Sequence, residues 1–165
     1  SFSAPLTDVF SYYGEITVGK EANKISVQLA RAVAKIQLNI TDDIPANVSF
    51  FNFIYKGASV SFDPTTKVGL ASSTRRNMEI EKVEGVKTFE LYTFVTGADQ
   101  LVDLDVAGYS EAKDVVGAKK FPGISVELRK VSKIDSPVFD GVIEGPTDIS
   151  VILDDTWDGV IDYTF

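Results

Sequence analysis

Lys24-Ile25-Ser26-Val27-Gln28-Leu29-Ala30-Arg31-Ala32-Val33-Ala34-Lys35-Ile36-Gln37-Leu38-Asn39-Ile40 is the stretch on which the fold turns. Ile25, Val27 and Leu29 alternate with polar neighbours, and after a switch of phase the alternation resumes at Ala32, Ala34, Ile36, Leu38 and Ile40. A period of two is the signature of a half-buried strand. Residues 24–40 are therefore expected to form one long strand, or two strands meeting at a bulge near Ala30 and Arg31. Such a break exchanges the face that looks inward.

The same period runs outward from this stretch. Asp42, Asp43, Pro45 and Asn47 supply turn chemistry, and residues 48–55 form a very apolar, aromatic-rich strand that ends at the Lys56-Gly57 turn. Residues 58–62 alternate again and stop at Asp63-Pro64. Residues 65–77 are polar and read as an exposed loop with at most one short strand. Residues 78–83 and 86–95 flank Glu84-Gly85 and are expected to form a hairpin. In residues 101–109, Val102, Leu104 and Val106 lie on one face and Asp103 and Asp105 on a wet one. A single helical turn fits within residues 110–120, although Gly117 and the valines weaken it. Two further alternating runs, Ile124-Val126-Leu128 and Ile149-Val151-Leu153, precede a last apolar run at residues 160–165. Eight to ten short strands without an amphipathic helix predict an all-β fold, an antiparallel sandwich or barrel. Residues 1–165 are read as a single domain.

Composition narrows the chemistry. Among 165 residues, 44% hydrophobic and 24% charged, there is no His and no Cys. That excludes Ser-His-Asp triads, cysteine nucleophiles, and imidazole or thiolate zinc sites. No cofactor is expected. Sixteen basic residues against 24 acidic ones leave a net charge of −8, which opposes binding to nucleic acid or anionic lipid. No stretch approaches the roughly 20 apolar residues that cross a bilayer as a helix. A chain that starts Ser1-Phe2-Ser3-Ala4-Pro5, without a basic n-region or apolar h-region, reads as a processed or excised piece.

The run Leu29-Ala30-Arg31-Ala32-Val33-Ala34-Lys35-Ile36 resembles the L-x-R-x-V-A-K-I strand of the fimbrillin-like proteins of Bacteroidetes, the subunits and anchors of type V pili. Asp8-Val9-Phe10 and Tyr12, followed by Glu15-Ile16-Thr17-Val18, resemble the aspartate-aromatic segment and strand that precede it in that family. Leu91-Tyr92-Thr93-Phe94 and Asp155-Thr156-Trp157 resemble its later strands and terminal tryptophan segment. The resemblance implies an antiparallel Greek-key, transthyretin-like β-sandwich exported to the outer-membrane surface or a fimbrium. It also implies assembly with other fimbrial subunits by β-strand addition, in which main-chain hydrogen bonds give affinity and alternate side chains give register. A host protein or glycan would be a further partner. Family members carry two domains and a lipoprotein cysteine, so 165 residues without Cys imply either a one-domain relative or the remainder of a longer precursor.

Individual candidates are weighed against plainer roles. Arg31 marks a processing point or groove rim, or, as the favoured reading, a salt-bridged or solvated strand residue. Arg75-Arg76 offers a loop for proteolysis, with incidental nicking as the plainer reading. Asp154, Asp158 and Gly159 occupy the first, fifth and sixth places of a calcium loop, but Phe165 stands where a bidentate Glu is required, so an acidic turn is favoured. Asp103 and Asp105 share a strand face about 7 Å apart, a glycosidase separation, yet acidic strand faces are common decoration. Tyr12, Tyr13, Tyr109 and Trp157 would stack on sugar rings if exposed in a row. With eleven Phe, six Tyr and one Trp, however, most aromatics must pack in the core. The sequons at Asn39 and Asn47 are taken as chance. The expected function is a non-catalytic structural or adhesive fimbrial subunit, with a surface glycan-binding module using Tyr13 or Trp157 as the alternative.

Overall fold

The computed structural model describes residues 6–15, 17, 19, 26–71, 75–140 and 159–160. In chain order their strands are β1 (Phe10–Ser11), β2 (Ala30–Arg31), β3 (Val33–Ile40), β4 (Phe50–Lys56), β5 (Phe62–Asp63), β6 (Val68–Gly69), β7 (Arg76–Glu81), β8 (Thr88–Phe94), β9 (Leu101–Tyr109), β10 (Val115–Ser125), β11 (Lys130–Ser136) and β12 (Gly159–Val160). They form two four-stranded sheets, β10-β9-β4-β7 and β12-β11-β3-β8, with the small ribbons β1-β2 and β5-β6 beside them. The fold is all-β, a sandwich, as the period-two pattern predicts.

The phase switch in residues 24–40 resolves into two strands rather than one. β2 pairs with β1, Phe10 opposite Arg31. Ala32 then leaves the ladder and donates its N–H to the Val9 carbonyl at 2.8 Å, after which β3 enters the second sheet. The expected bulge is thus a hand-over between a ribbon and a sheet. Beyond it, Ala34, Ile36, Leu38 and Ile40 of β3 point into the core.

Across from them stands β4, whose Phe51, Phe53 and Tyr55 face inward while Phe50, Asn52 and Ile54 face out. Phe89 of β8 reaches over from the opposite sheet and touches both rings, with centroids 4.8 Å from Phe51 and 5.0 Å from Phe53. Val102, Leu104 and Val106 of β9 and Phe121 and Ile124 of β10 complete the layer. Burying each such side chain contributes about 1.5–3 kcal/mol, so this contiguous cluster is the main favourable term in folding. A smaller cluster of Leu6, Ala32, Val33 and Phe94, with Val9, Phe62 and Tyr92 against it, covers the opposite face of β3 at its start.

Three segments differ from expectation. The strands flanking Glu84-Gly85 do not form a hairpin: β7 pairs with β4 and β8 with β3, so this connection crosses from one sheet to the other. Alternation shows which side chains point inward but not which sheet they belong to, and Met78 and Leu91 approach the same core from opposite sides. Residues 110–114 form a turn, closed by Lys113 N–H to Ser110 O at 2.9 Å, and β10 follows in place of a helical turn. Val115 and Val116 are β-branched and favour the strand.

The third difference is β11, a strand that no apolar run announces. Its core face reads Ser132-Ile134-Ser136, all three buried, and Ser132 Oγ donates to the Ser125 carbonyl of β10 at 2.6 Å across the sandwich. β11 runs parallel to β3, with Ser132 beside Ile36 and Ile134 beside Leu38. The first sheet is antiparallel throughout, while the second is mixed. Beyond β11, the Asp42 carboxylate accepts the N–H groups of Val138 at 3.0 Å, Phe139 at 2.5 Å and Asp140 at 2.8 Å.

Candidate functional site

One end of the molecule gathers the segments singled out in the sequence. Pairing of β1 with β2 brings Asp8 to Arg31, and the pair is bidentate: Nε to Oδ1 at 2.8 Å and Nη2 to Oδ2 at 2.9 Å. The Arg31 guanidinium carbon also lies 4.9 Å from the centroid of the Phe10 ring, within cation–π range. Arg31 is therefore the ion-paired arginine of the favoured reading.

Two positions along β3, Lys35 sits on the same face and is buried. Its ammonium donates to Glu90 Oε1 at 3.0 Å, and Tyr92 Oη donates to Glu90 Oε2 at 2.7 Å. Partial burial alone would raise the Glu90 pKa. The hydrogen bonds from Tyr92 and Lys35, with the Lys35 charge, outweigh that effect and hold it below the usual carboxylate value, although Asp8 opposes them. Burial, and then the bond to the Glu90 carboxylate, raise the Tyr92 hydroxyl above an ordinary tyrosine. Asp8 and Arg31 of the β1-β2 ribbon thus continue into Lys35, Glu90 and Tyr92 on the outer face of the second sheet as a charged strip, in which the Lys35 side chain is itself buried.

Beside this strip opens a cavity of about 320 Å³. Tyr12 and Tyr13, both exposed, line it together with Phe62, and Arg31, Lys67 and Arg129 contribute cationic side chains. Sequence reasoning named Tyr12, Tyr13 and Arg31 but not Lys67 or Arg129. Lys67 closes a turn with its N–H on the Asp63 carbonyl, whereas Arg129 sits in the turn that Lys130 N–H closes on Glu127 O and donates its own N–H to Val33 O of β3. Both take left-handed backbone, φ 59° and 63°. The Asp63-Pro64 turn signal is the one local mark that pointed toward Lys67.

The other candidates are scattered. Arg76 belongs to β7 rather than to a loop, and Arg75 Nη2 lies 3.7 Å from Asp105 Oδ2. Asp103 accepts the Gly123 N–H at 2.9 Å, so the two acids of β9 are engaged by different partners. Tyr109 stacks on Phe50, centroids 5.2 Å apart and planes within 5°, on the outer face of the first sheet and away from Tyr12. Asn39 bonds Asp135 at 2.9 Å, and Asn47 is exposed in a turn. Trp157, Asp154, Asp155 and Asp158 lie outside the described residues, and Gly159 belongs to β12. Among the described residues no three His, Cys, Asp or Glu side chains are grouped to hold a metal ion. Likewise, no helix there is long and apolar enough to cross a membrane.

The second feature at this end is a sheet edge. β12 lies parallel on β11, Gly159 opposite Lys130 and Val160 opposite Val131. Among the described residues, no strand pairs with the outer side of residues 132–136 of β11. A strand at a sheet edge can accept an added strand through its main-chain N–H and C=O groups. No family model matches the chain, and comparison with curated proteins and with solved structures finds no significant match.

Proposed function

We propose that this chain is a structural or adhesive subunit of a bacterial surface fimbrium, joined to other subunits by β-strand addition and working without catalysis. The observation that carries the proposal is the β11 edge. It takes a parallel strand at Lys130 and Val131, and its outer side continues over five more residues that no described strand covers. Main-chain bonding along such an edge supplies affinity, and the alternation of Ser132, Ile134 and Ser136 against Lys133 and Asp135 fixes register.

The resemblance of residues 29–36 to the fimbrillin-like strand supports the same reading, as does the contact of Asp8 with Arg31, one residue from each of the two resembling segments. On this reading the sandwich is of the Greek-key, transthyretin-like kind and works at the outer-membrane surface. Mixing the protein with peptides that copy residues 1–13 and 153–165 tests it. Strand insertion or SDS-resistant ladders are expected, and persistent monomers that bind neither peptide would sink the polymerising role.

A second reading has its own support. Tyr12 and Tyr13 are exposed beside a cavity, the arrangement by which a glycan-binding module stacks sugar rings.

A further inference from the structure

We propose that β10 is a built-in stop to strand addition, which keeps the first sheet of one copy from continuing edge to edge into the β7 strand of a second copy. That the stop confines subunit contacts to the second sheet rests on the fimbrial reading, whereas the stop itself does not.

Direction and charge create the need for a stop. Among the described residues, β10 and β7 are the end strands of the first sheet. β4 runs antiparallel to both β7 and β9, and β9 antiparallel to β10, so the two end strands point in opposite directions. A second copy set beside the first in the same orientation brings its β7 antiparallel to β10, and such a contact repeats without closing. β10 carries Lys119 and Lys120, while β7 exposes Glu79 and Glu81. Opposite charges on facing strands favour pairing. β10 is also the longest strand among the described residues, which gives it the most main chain to offer.

Three features of β10 oppose that pairing. The first is a bulge between Phe121 and Ile124, whose partners on β9 are Leu104 and Val102. It is formed by Pro122 and by Gly123 at φ 67°, and Asp103 Oδ1 accepts the Gly123 N–H at 2.9 Å. Pro122 has no N–H and that of Gly123 is already used, so two successive residues offer an incoming strand no donor. The second is another register shift, between Val115 and Gly117, which ends the regular run on its other side. Bulges bend a strand and increase its twist, so a straight neighbour cannot follow β10 at the sheet spacing of about 4.8 Å. The third is Lys119, which shares the face of the core residue Phe121 and holds its ammonium 5.8 Å from that ring's centroid. A strand laid outside β10 would extend the sandwich over this cation and cut it off from water.

Asp103 gains a role in this arrangement, as the clasp of the bulge. Its neighbours Val102 and Leu104 are fully buried, so the clasp is mounted on a strand that packing holds still. β7, by contrast, pairs with β4 without a register shift over residues 76–81. Charge is what protects it: two β7 edges meeting would set Glu79 and Glu81 of one copy against those of the other. Only the contact between β7 and β10 joins opposite charges, and that is the contact the bulges, Pro122 and Lys119 block.

The test compares the full chain with the double variant Lys119→Thr/Pro122→Thr and with a deletion of Pro122, which removes the extra residue of the bulge. Sedimentation velocity over a range of concentrations measures association, and amide hydrogen exchange locates it. Both variants are expected to associate at least about tenfold more tightly than the wild type, with slowed exchange in β10 and β7 together. Adding Glu79→Lys and Glu81→Lys should reverse that gain, because Lys120 then meets like charge. Should the deletion unfold the protein, the double variant, which keeps the chain length, decides the matter. A double variant that keeps the wild-type melting temperature yet shows no gain in association and no added protection in either strand would overturn the stop. So would wild-type association that protects β10 and β7. Peptides copying residues 1–13 and 153–165 report separately on the fimbrial reading. Their failure to bind, with the variants still pairing through β10 and β7, would remove the confinement to the second sheet and leave the stop standing.

Discussion

Asp8 and Arg31 stand 23 residues apart in the chain and meet in a two-bond ion pair that fastens the N-terminal segment to the entrance of β3. Arg31 is mostly shielded and Asp8 about one-third exposed, so the pair is neither a buried charge couple nor a freely solvated one. Its bidentate geometry places it toward the upper part of the range for surface pairs. A double-mutant cycle of Asp8→Ala and Arg31→Ala is expected to give a coupling of about 1 kcal/mol in chemical denaturation. Arg31→Lys, which keeps the charge but loses the fork, should recover less than half of it.

The carboxylate of Asp42 gathers three backbone N–H groups, of Val138, Phe139 and Asp140, and so anchors the chain after β11. Asp42 is nearly buried, and removing its side chain strands several donors at once. Asp42→Ala should destabilise the protein by about 3 kcal/mol, and Asp42→Asn by less, because the amide retains one acceptor oxygen. Urea denaturation measures both. An effect below about 0.5 kcal/mol for the alanine variant would contradict the anchoring role.

Phe139, held in place by that anchor, occupies space that a side chain on β9 or β10 would need. A Cβ on Gly108 would lie 2.7 Å from the Phe139 ring, and one on Gly117 would lie 2.5 Å from it. Gly117→Val should cost about 1–3 kcal/mol through overpacking. The same substitution in a Phe139→Ala background should cost clearly less, and equal costs in the two backgrounds would remove Phe139 as the cause.

The Lys35-Glu90-Tyr92 group makes stability depend on pH at both ends. Because the folded Glu90 carboxyl is held below its unfolded value, its contribution is present above the ordinary carboxylate range and is lost as pH falls through the lowered folded value. Tyr92 is raised, so its contribution is intact below about pH 10 and fades as pH rises beyond that. Glu90→Gln should flatten the acid limb of a melting-temperature profile, and Tyr92→Phe the alkaline limb. A profile of the Glu90→Gln variant parallel to the wild type below pH 5 would contradict the assignment.

The legibility of the fold followed side-chain contrast. β3, β4 and β9 were plain in the sequence because large apolar residues such as Leu38, Phe53 and Leu104 alternate there with polar ones. β11 was invisible because its core face is two serines and one isoleucine, and Ser132 is made compatible with burial by a hydrogen bond to a carbonyl of the other sheet. Periodicity also has no term for sheet membership, which is why Glu84-Gly85 read as a hairpin turn. At the site, Tyr12, Tyr13 and Arg31 were flagged individually. Their union with Lys67 and Arg129 depends on turns far apart in sequence, and no local pattern encodes that.

The central claim is that the outer edge of β11 accepts a strand from another subunit. Amide hydrogen exchange of residues 132–136, measured before and after addition of peptides copying residues 1–13 and 153–165, addresses it directly. The account predicts that the β11 amides directed away from β3 exchange quickly in the isolated protein and are protected at least about tenfold once one of the peptides is bound. Slow exchange of those amides in the isolated monomer, unchanged by either peptide, would contradict it.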